Sequence, residues 1–251
     1  TRFSFENEND LAPSLVNTVV GSLEANNDTP IVGTVALPTS TEVKIRSQGV
    51  FASQHRAVTR EDYMNLVYAM PERYGMIKRV NVIQDNRSFK RNLNLYIVSE
   101  DSNGKLVQSN QSLKSNLKTW LNKNKMITDS IDMLDAKIVN FGIQFEAIGE
   151  VNQDNIDLLS DAVAALGNKF DKYYDISENI YISDIYSTLK NVEGILDVVS
   201  AKVFLRVGGA YSDVFYDMEE NISPDGRMIN IPNNVIVELK SPNVDIKGVI
   251  R

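Results

Sequence analysis

The spacing of apolar residues predicts four helices in the middle of the chain. In each, apolar side chains recur at steps of three and four residues, the period that lines one face of a helix. The first begins after Thr59, a favourable capping residue with Asp62 three positions later, and ends before Pro71. The others cover residues 113–121, 153–170 and 183–189. We therefore expect helices that each bury one side.

A second pattern, the alternation of apolar and polar residues, predicts strands between these helices. Residues 76–83 and 93–98 form two strand-like stretches, and residues 136–148 and 199–207 alternate over longer runs. The resulting order is helix, two strands, helix, strand, two helices and strand. This order predicts an α+β fold in which helices pack on a mixed or antiparallel sheet, and a ferredoxin-like arrangement is the leading interpretation.

The two ends of the chain differ in composition from this central part. Residues 1–56 are rich in Asn, Thr, Ser and Pro, and their β-prone pieces at 31–35 and 42–45 predict short strands or an extended arm. Beyond the centre, glycines, an acidic stretch and the turn sequence SPDG precede short β pieces. We therefore divide the chain into an N-terminal extended or β region (1–56), a central α+β domain (57–208) and a small C-terminal β-rich appendage (209–251).

Composition and charge narrow the classes of function. The 251 residues are 43% hydrophobic and 24% charged, which is typical of a folded globular protein. The formal net charge of −7 opposes binding to a nucleic-acid backbone. No apolar run approaches the roughly 18 residues of a membrane-spanning helix. Cysteine is absent, which excludes disulfides, thiolate metal sites and cysteine nucleophiles. We expect neither nucleic acid nor a membrane as partner.

The titratable residues offer few candidates for catalysis or metal binding. His55 is the only histidine, so a serine triad would have to use it, yet the G-x-S-x-G motif is absent and a loop histidine is favoured. An acidic group near the C-terminal end could bind a hard cation, but its spacing is not that of a calcium loop, and a solvated loop is favoured. This group comprises Asp213, Asp217, Glu219 and Glu220.

Two further pairs suggest sites but have simpler interpretations. Asp132 and Asp135 could act as a paired acid and base, but a role in a turn before the next strand is favoured. Gly208 and Gly209 follow a predicted strand, as phosphate loops do, but neither the dinucleotide nor the P-loop motif occurs. We expect a tight turn there.

The aromatic residues also have two interpretations. Tyr96 and Phe204 could stack on bases from an exposed sheet face, but an RNP-type motif is missing and the charge has the wrong sign for RNA binding. Trp120, beside Leu117 and Leu121 on a predicted helix face, is interpreted as a core residue. We therefore predict no catalytic residue, no metal or cofactor site and no small-molecule substrate.

Several short segments form an ordered series along the chain. Residues 56–63 read RAVTREDY, an alternating strand follows at 136–148, and residues 182–186 (ISDIY) precede 192–197 (VEGILD). The series closes with IPNNVIVELK at residues 231–240, then Pro242 and the sequence DIKG. In this order the segments resemble the baseplate J-like family, which includes the baseplate wedge subunits of contractile-tailed bacteriophages (myoviruses). Ile195 departs mildly from the valine, glycine, valine turn of that family.

The resemblance implies a structural virion protein of the tail baseplate that is not an enzyme, since the family carries no catalytic residues. It also implies a homodimer within each wedge, ring-forming contacts between wedges, and other baseplate wedge proteins as partners. The implied location is the virion tail baseplate, after assembly in the host cytoplasm. Larger wedge subunits have an upstream portion, and this chain begins at Thr1 without Met. We therefore expect the C-terminal part of a longer protein.

Other classes of function stay open on the residues alone. A carboxylate-dependent hydrolase or other metal-dependent enzyme requires a deep pocket with converging carboxyl groups of perturbed pKa. A peptide or nucleic-acid binding module requires an exposed groove or a basic stripe. An assembly protein requires large contact surfaces, for which the helices at 110–124 and 153–170 and residues 209–251 are the candidates.

Overall fold

Two sheets, each packed against helices, form the main body of the structure. The computed structural model describes residues 39–53, 56–85, 92–101, 103–150, 154–172 and 174–251. Strands and helices are numbered below in chain order, within these ranges.

Sheet one has four strands with β2 at its centre. The strands are β1 (Arg79–Gln84), β2 (Asn92–Glu100), β3 (Leu106–Val107) and β4 (Ser130–Asp135). β2 pairs antiparallel with β1 and parallel with β4, so Leu95 lies between Val82 and Met133. The short β3 pairs antiparallel with the end of β2.

Three helices belong to this half: α1 (Ser40–Ser53), α2 (Arg60–Tyr68) and α3 (Gln111–Asn122). α2 begins at a capping box, in which the Thr59 hydroxyl accepts from the Asp62 N–H and the Asp62 carboxylate accepts from the Thr59 N–H. α2 and α3 share one apolar core with the strands. Its fully buried members include Leu66, Leu117, Leu121, Val82 and Leu95.

Sheet two is built on the long strand β5 (Lys137–Gly149). β7 (Ile195–Arg206) runs antiparallel along one edge of β5. The other edge is shared by two parallel partners, β9 (Val235–Glu238) and then β10 (Ile246–Ile250). A separate two-stranded ribbon joins β6 (Ile180–Tyr181) to β8 (Met228–Ile229).

Sheet two packs against α4 (Asn155–Phe170) and α5 (Ile182–Lys190), and the short α6 (Pro242–Asp245) precedes β10. Alternate residues of β5 face this apolar core. Its buried members include Phe141, Ile143, Phe145, Leu158, Ala162, Leu166, Ile185 and Leu189. Gly248 of β10 permits the close approach of α4, because a Cβ there would lie 2.3 Å from the Phe145 ring and 2.7 Å from Leu159.

One residue, Ala136, connects β4 of sheet one directly to β5 of sheet two. Its N–H donates to the Ile97 carbonyl at 3.1 Å. Polar side chains also cross between the halves, since the Asn81 amide donates to the Asn233 carbonyl at 3.0 Å. The two sheets are therefore coupled by hydrogen bonds as well as by the chain itself.

The predicted α+β class is confirmed, with mixed and antiparallel sheets, and the four central helices and the main strands form where the apolar spacing predicts them. A ferredoxin-like arrangement is not confirmed. Residues 42–45, predicted as a short strand or extended arm, lie inside α1. Contacts of α1 with the rest of the fold outweigh the local β propensity of these residues. The predicted strand at 31–35 lies outside the described residues. Division into three regions stays a prediction, and β9 and β10 of the C-terminal region pair with β5.

Candidate interaction site

Helix α1 rests on α2 through an unusually close crossing. A Cβ at Gly49 would lie 2.2 to 2.5 Å from the side-chain atoms of Asn65, so glycine allows the two helices to approach. Among the α1 residues whose side chains are described, only Ser53 is buried. Phe51 is 86% and Ile45 64% exposed. The contacts that hold α1 are therefore mostly polar.

Glu42 is the main polar anchor of α1. Its Oε2 accepts from the Thr39 N–H at 2.9 Å, and the Glu42 N–H donates to the Thr39 hydroxyl at 3.3 Å, an arrangement that caps the helix. The other carboxylate oxygen lies 3.0 Å from the Arg79 guanidinium. Partial burial opposes ionisation of Glu42, but the Thr39 hydrogen bond and the charge of Arg79 outweigh it and lower the pKa.

Arg79 is a buried cation between two carboxylates. Its side chain is only 8% exposed, and it contacts Glu42 of α1 and Asp175 of the loop that follows α4, the latter at 2.7 Å. Because a buried guanidinium needs compensating charge, Arg79 fixes both segments against β1.

A cleft of about 350 Å³ opens beside these ion pairs, between α1, α2 and β1. Its apolar lining includes Ile45, Met64 and Ile176. Two further guanidiniums line it. Arg46 lies over the Tyr68 ring, with its central carbon 4.1 Å from the ring centroid, and Arg60 donates to the Asn81 side-chain oxygen at 3.2 Å. The cleft therefore combines an apolar floor with two oriented cations.

Tyr68 forms the rigid wall behind Arg46. Its hydroxyl accepts from the Val80 N–H at 3.2 Å, which ties α2 to β1. Burial raises the pKa of this phenol, with the charges of Arg79 and Arg46 acting in the opposite direction. The neutral ring is thus a stable surface for the Arg46 guanidinium.

A second polar group, around Glu238, lies in the interior between β3, β5 and β9. One Glu238 oxygen accepts from the Leu106 N–H at 3.0 Å and the other from the Asn140 amide at 2.9 Å. Burial raises the pKa of this carboxyl despite both hydrogen bonds. Glu238 also lines a smaller cavity of about 220 Å³ with Lys105 and Tyr174. Both oxygens of the Glu238 carboxylate are used in structural hydrogen bonds. Glu238 therefore does not form the pair of converging carboxyl groups that a carboxylate-dependent hydrolase requires.

Asp245 at the end of α6 is completely buried and joins three segments. Its carboxylate accepts from the Ser241 N–H at 2.8 Å, the Tyr211 hydroxyl at 2.6 Å and the Arg206 Nε at 3.0 Å. The hydrogen bond to Asp245 is the largest cause of the raised pKa of Tyr211. This carboxylate fixes the segment after β7 against the start of β10.

An exposed apolar patch lies at one end of sheet two. We name it the β7–β10 patch, and its members are Ile148, Leu196, Val199 and Val249, each between 40% and 59% exposed. Ile148 and Val249 point away from the helices, because the alternate residues Ala147 and Gly248 face the core. On β7, two register irregularities opposite residues 146–149 leave Leu196 and Val199 turned outward.

The acidic residues singled out from the sequence do not converge. In the acidic loop, the Asp217 carboxylate accepts from the Glu219 and Glu220 N–H groups at 2.9 and 3.1 Å, a local turn. Within the described ranges, no group of three His, Asp or Glu side chains is arranged to hold a metal ion. His55 lies outside the described residues.

Asp132 and Asp135 lie within strand β4, and the prediction that they flank a turn is wrong. Asp132 accepts from the Asn92 amide at 2.8 Å, and Asp135 pairs with Lys114 of α3 at 2.6 Å. The two carboxylates thus have separate partners. The register of β4 on β2 brings Asp132 near Asn92, and the packing of α3 brings Lys114 to Asp135, which spacing alone does not reveal.

The glycine and aromatic predictions are resolved by the fold. Gly208 and Gly209 have φ of +81° and +63°, and the Tyr211 N–H donates to the Gly208 carbonyl, so the predicted tight turn is confirmed. Tyr96 lies in sheet one and Phe204 in sheet two, so they do not share a base-stacking face. Trp120 is half-buried: it packs against the core of sheet one from its edge and donates to the Leu66 carbonyl at 2.8 Å, so it is a structural residue although not a fully buried one.

Sequence reasoning missed the residues of the cleft. The sequence indicates only a helix start around Arg60 and a β-prone piece around Glu42. Arg79 and Asp175 are 96 positions apart and meet only in the fold. The single usable signal was Glu42 three residues after Thr39, the spacing of a capping box.

Comparisons with known proteins give a structural likeness only. No protein-family model matches the chain, and no curated protein matches it. A chain of the anti-feeding prophage (AFP) baseplate, from a 6-fold symmetrised cryo-EM structure, aligns with a TM-score of 0.49 at 9% sequence identity. The alignment covers 81% of this chain and 42% of that one, so this chain spans less than half of that protein's length. None of the helices in the described ranges is long and apolar enough to cross a membrane.

Proposed function

We propose that the chain is a structural subunit of a contractile-tail baseplate that works by packing against copies of itself and other baseplate wedge proteins, without catalysis. The ordered segments from RAVTREDY to DIKG support this assignment by their resemblance to the baseplate J-like family. The proposed setting is the virion tail, where wedge homodimers join into a ring, after assembly in the host cytoplasm.

The observation that carries the proposal is the β7–β10 patch. Four large aliphatic side chains on neighbouring strands stay exposed at the end of a well-packed sheet. Large apolar side chains exposed together on neighbouring strands are typical of protein contact sites, because burying them in an interface removes them from water. The patch includes Val249 of the C-terminal region predicted to form contacts.

The test is the mass of the chain in solution. We expect light scattering to give a species larger than the 28.1 kDa monomer, because obligate interfaces commonly bury more than about 2,000 Å². The double variant Leu196→Lys and Val249→Lys places two charges in the patch and should shift the population to monomer.

Ile127→Lys is the matched control, because Ile127 is fully exposed and belongs to the other half of the molecule. It should leave the association unchanged. A strictly monomeric parent chain at high concentration would contradict the proposal. So would a control variant that dissociates to monomer as much as the double variant does.

A further inference from the structure

We infer that the cleft between α1, α2 and β1 is a docking site for an acidic side chain flanked by apolar residues, carried on an extended segment of a partner protein. The inference goes beyond the baseplate assignment, since the chemistry of the cleft is the same in any assembly that the chain joins.

The three guanidiniums at the cleft, those of Arg46, Arg60 and Arg79, differ in their partners. Arg79 is neutralised by Glu42 and Asp175. Within the described part of the chain, no comparable ion pair forms at Arg46 or Arg60. Three guanidiniums and two carboxylates line the cleft, which leaves one net positive charge there, on a protein whose net charge is −7. This local excess of positive charge is complementary to an anion.

Neighbouring side chains orient the Arg46 and Arg60 guanidiniums. The ring of Tyr68 supports Arg46 at 4.1 Å, and the Asn81 side-chain oxygen holds Arg60 at 3.2 Å. Each contact uses only part of the guanidinium, which has five N–H donors in a planar fork. The free donors can bind a carboxylate in the bidentate geometry that arginine favours.

The floor of the cleft is apolar. Ile45 is 64% exposed, and it lines the cleft with Met64 and Ile176. A free phosphate ion would gain nothing from these side chains. An acidic residue with an aliphatic neighbour would use both parts of the site, and about 350 Å³ is room for a few side chains. The lining therefore favours a peptide segment over a small inorganic anion.

The test compares two capped tripeptides, Ile-Glu-Ile and Ile-Gln-Ile, which differ only in charge. We expect calorimetric titration of the full chain to show roughly tenfold tighter binding of the Glu peptide, the effect of one charge-assisted interaction. Arg46→Met and Arg60→Met keep the aliphatic stem and should each weaken the Glu peptide by a similar factor while leaving the Gln peptide unchanged.

Arg73→Met is the matched control. Arg73 is an exposed arginine that lies over a tyrosine ring as Arg46 does, 4.8 Å from the Tyr74 centroid, but it does not line the cleft. The Arg73→Met variant should bind the Glu peptide as tightly as the parent chain does. Circular dichroism should show that all three variants are folded. Inorganic phosphate should displace the Glu peptide only weakly.

Equal affinity of the chain for the two peptides would overturn the inference. An equal loss of affinity for the Glu peptide in the Arg73 variant would do the same. Full displacement of the Glu peptide by phosphate at the peptide's own concentration would also overturn it, because that result would indicate a general anion site. A failure of self-association in the light-scattering test leaves this result unaffected, since the cleft shares no residue with the β7–β10 patch.

Discussion

Helices α1 and α4 are close in length, 14 and 16 residues, yet they are held in opposite ways. α4 buries Leu158, Ala162 and Leu166 along one face against sheet two. α1 has no apolar face of this kind and depends on Glu42 at Arg79 and on Arg46 at Tyr68. Salt does not screen apolar burial, whereas it weakens the attraction between partly exposed charges. Of these two helices, α1 is therefore the one whose stability depends on salt, and it borders the cleft.

The largest expected effect concerns α4, the helix held by apolar burial. Leu166→Ala removes a side chain of α4 that is completely buried, and the cavity should lower the free energy of unfolding by about 2–5 kcal/mol. Ile45→Ala makes the same kind of truncation on exposed α1 and should cost under about 1 kcal/mol. Urea denaturation of both variants measures the difference. Similar losses would show that α1 is held by burial after all.

A smaller, pH-dependent effect is expected at Glu238. Burial raises its pKa above the ordinary value of 4.5, so between that value and the raised pKa the folded state holds a proton that the unfolded state has lost. Lowering the pH through this window should stabilise the parent chain, and the contribution should be lost again as the pH rises through the folded pKa.

Glu238→Gln removes this titration. Relative to the variant, the parent should gain stability from pH 7 down to about 4.5, by about 1.4 kcal/mol for each unit of pKa displacement. Thermal denaturation across this range measures the trend. Glu42 and Asp62 have lowered pKa values and produce the opposite trend in both proteins, so the difference isolates Glu238. A constant difference would contradict the assigned pKa direction.

The smallest expected effect concerns α1, the helix held by charged side chains. Glu42→Gln removes the ion pair with Arg79, and because the carboxylate is 30% exposed the cost should be only about 0.5–1 kcal/mol. Hydrogen exchange should accelerate in α1 and stay unchanged in α4. In the parent, about 1 M salt should reproduce part of this acceleration.

Glu61→Gln is the control for that experiment, because Glu61 is also an acidic residue in the first turn of a helix but belongs to α2. Exchange in α1 should not respond to it. Equal acceleration by both variants would show that general charge, and not the Arg79 contact, decides the stability of α1.

Sequence reasoning succeeded where the signal is local. The apolar period of residues 153–170 predicted α4, and the alternation at 136–148 predicted β5. It failed for α1, which has no apolar stripe to detect, and for Asp132 and Asp135, whose partners depend on strand register. The cleft was missed for the same reason, because Glu42, Arg79 and Asp175 come from three distant segments.

The periodic elements, the Thr59 capping box and the α+β class can be predicted from the residues alone, because apolar periodicity and capping act within a few residues. The division of the strands between two sheets, and the pairing of β9 and β10 along the edge of β5, are visible only in the folded molecule. The same holds for the charges that meet at the cleft. Strand pairing and ion pairing join residues far apart in the chain, and their energies depend on burial and geometry that spacing does not specify.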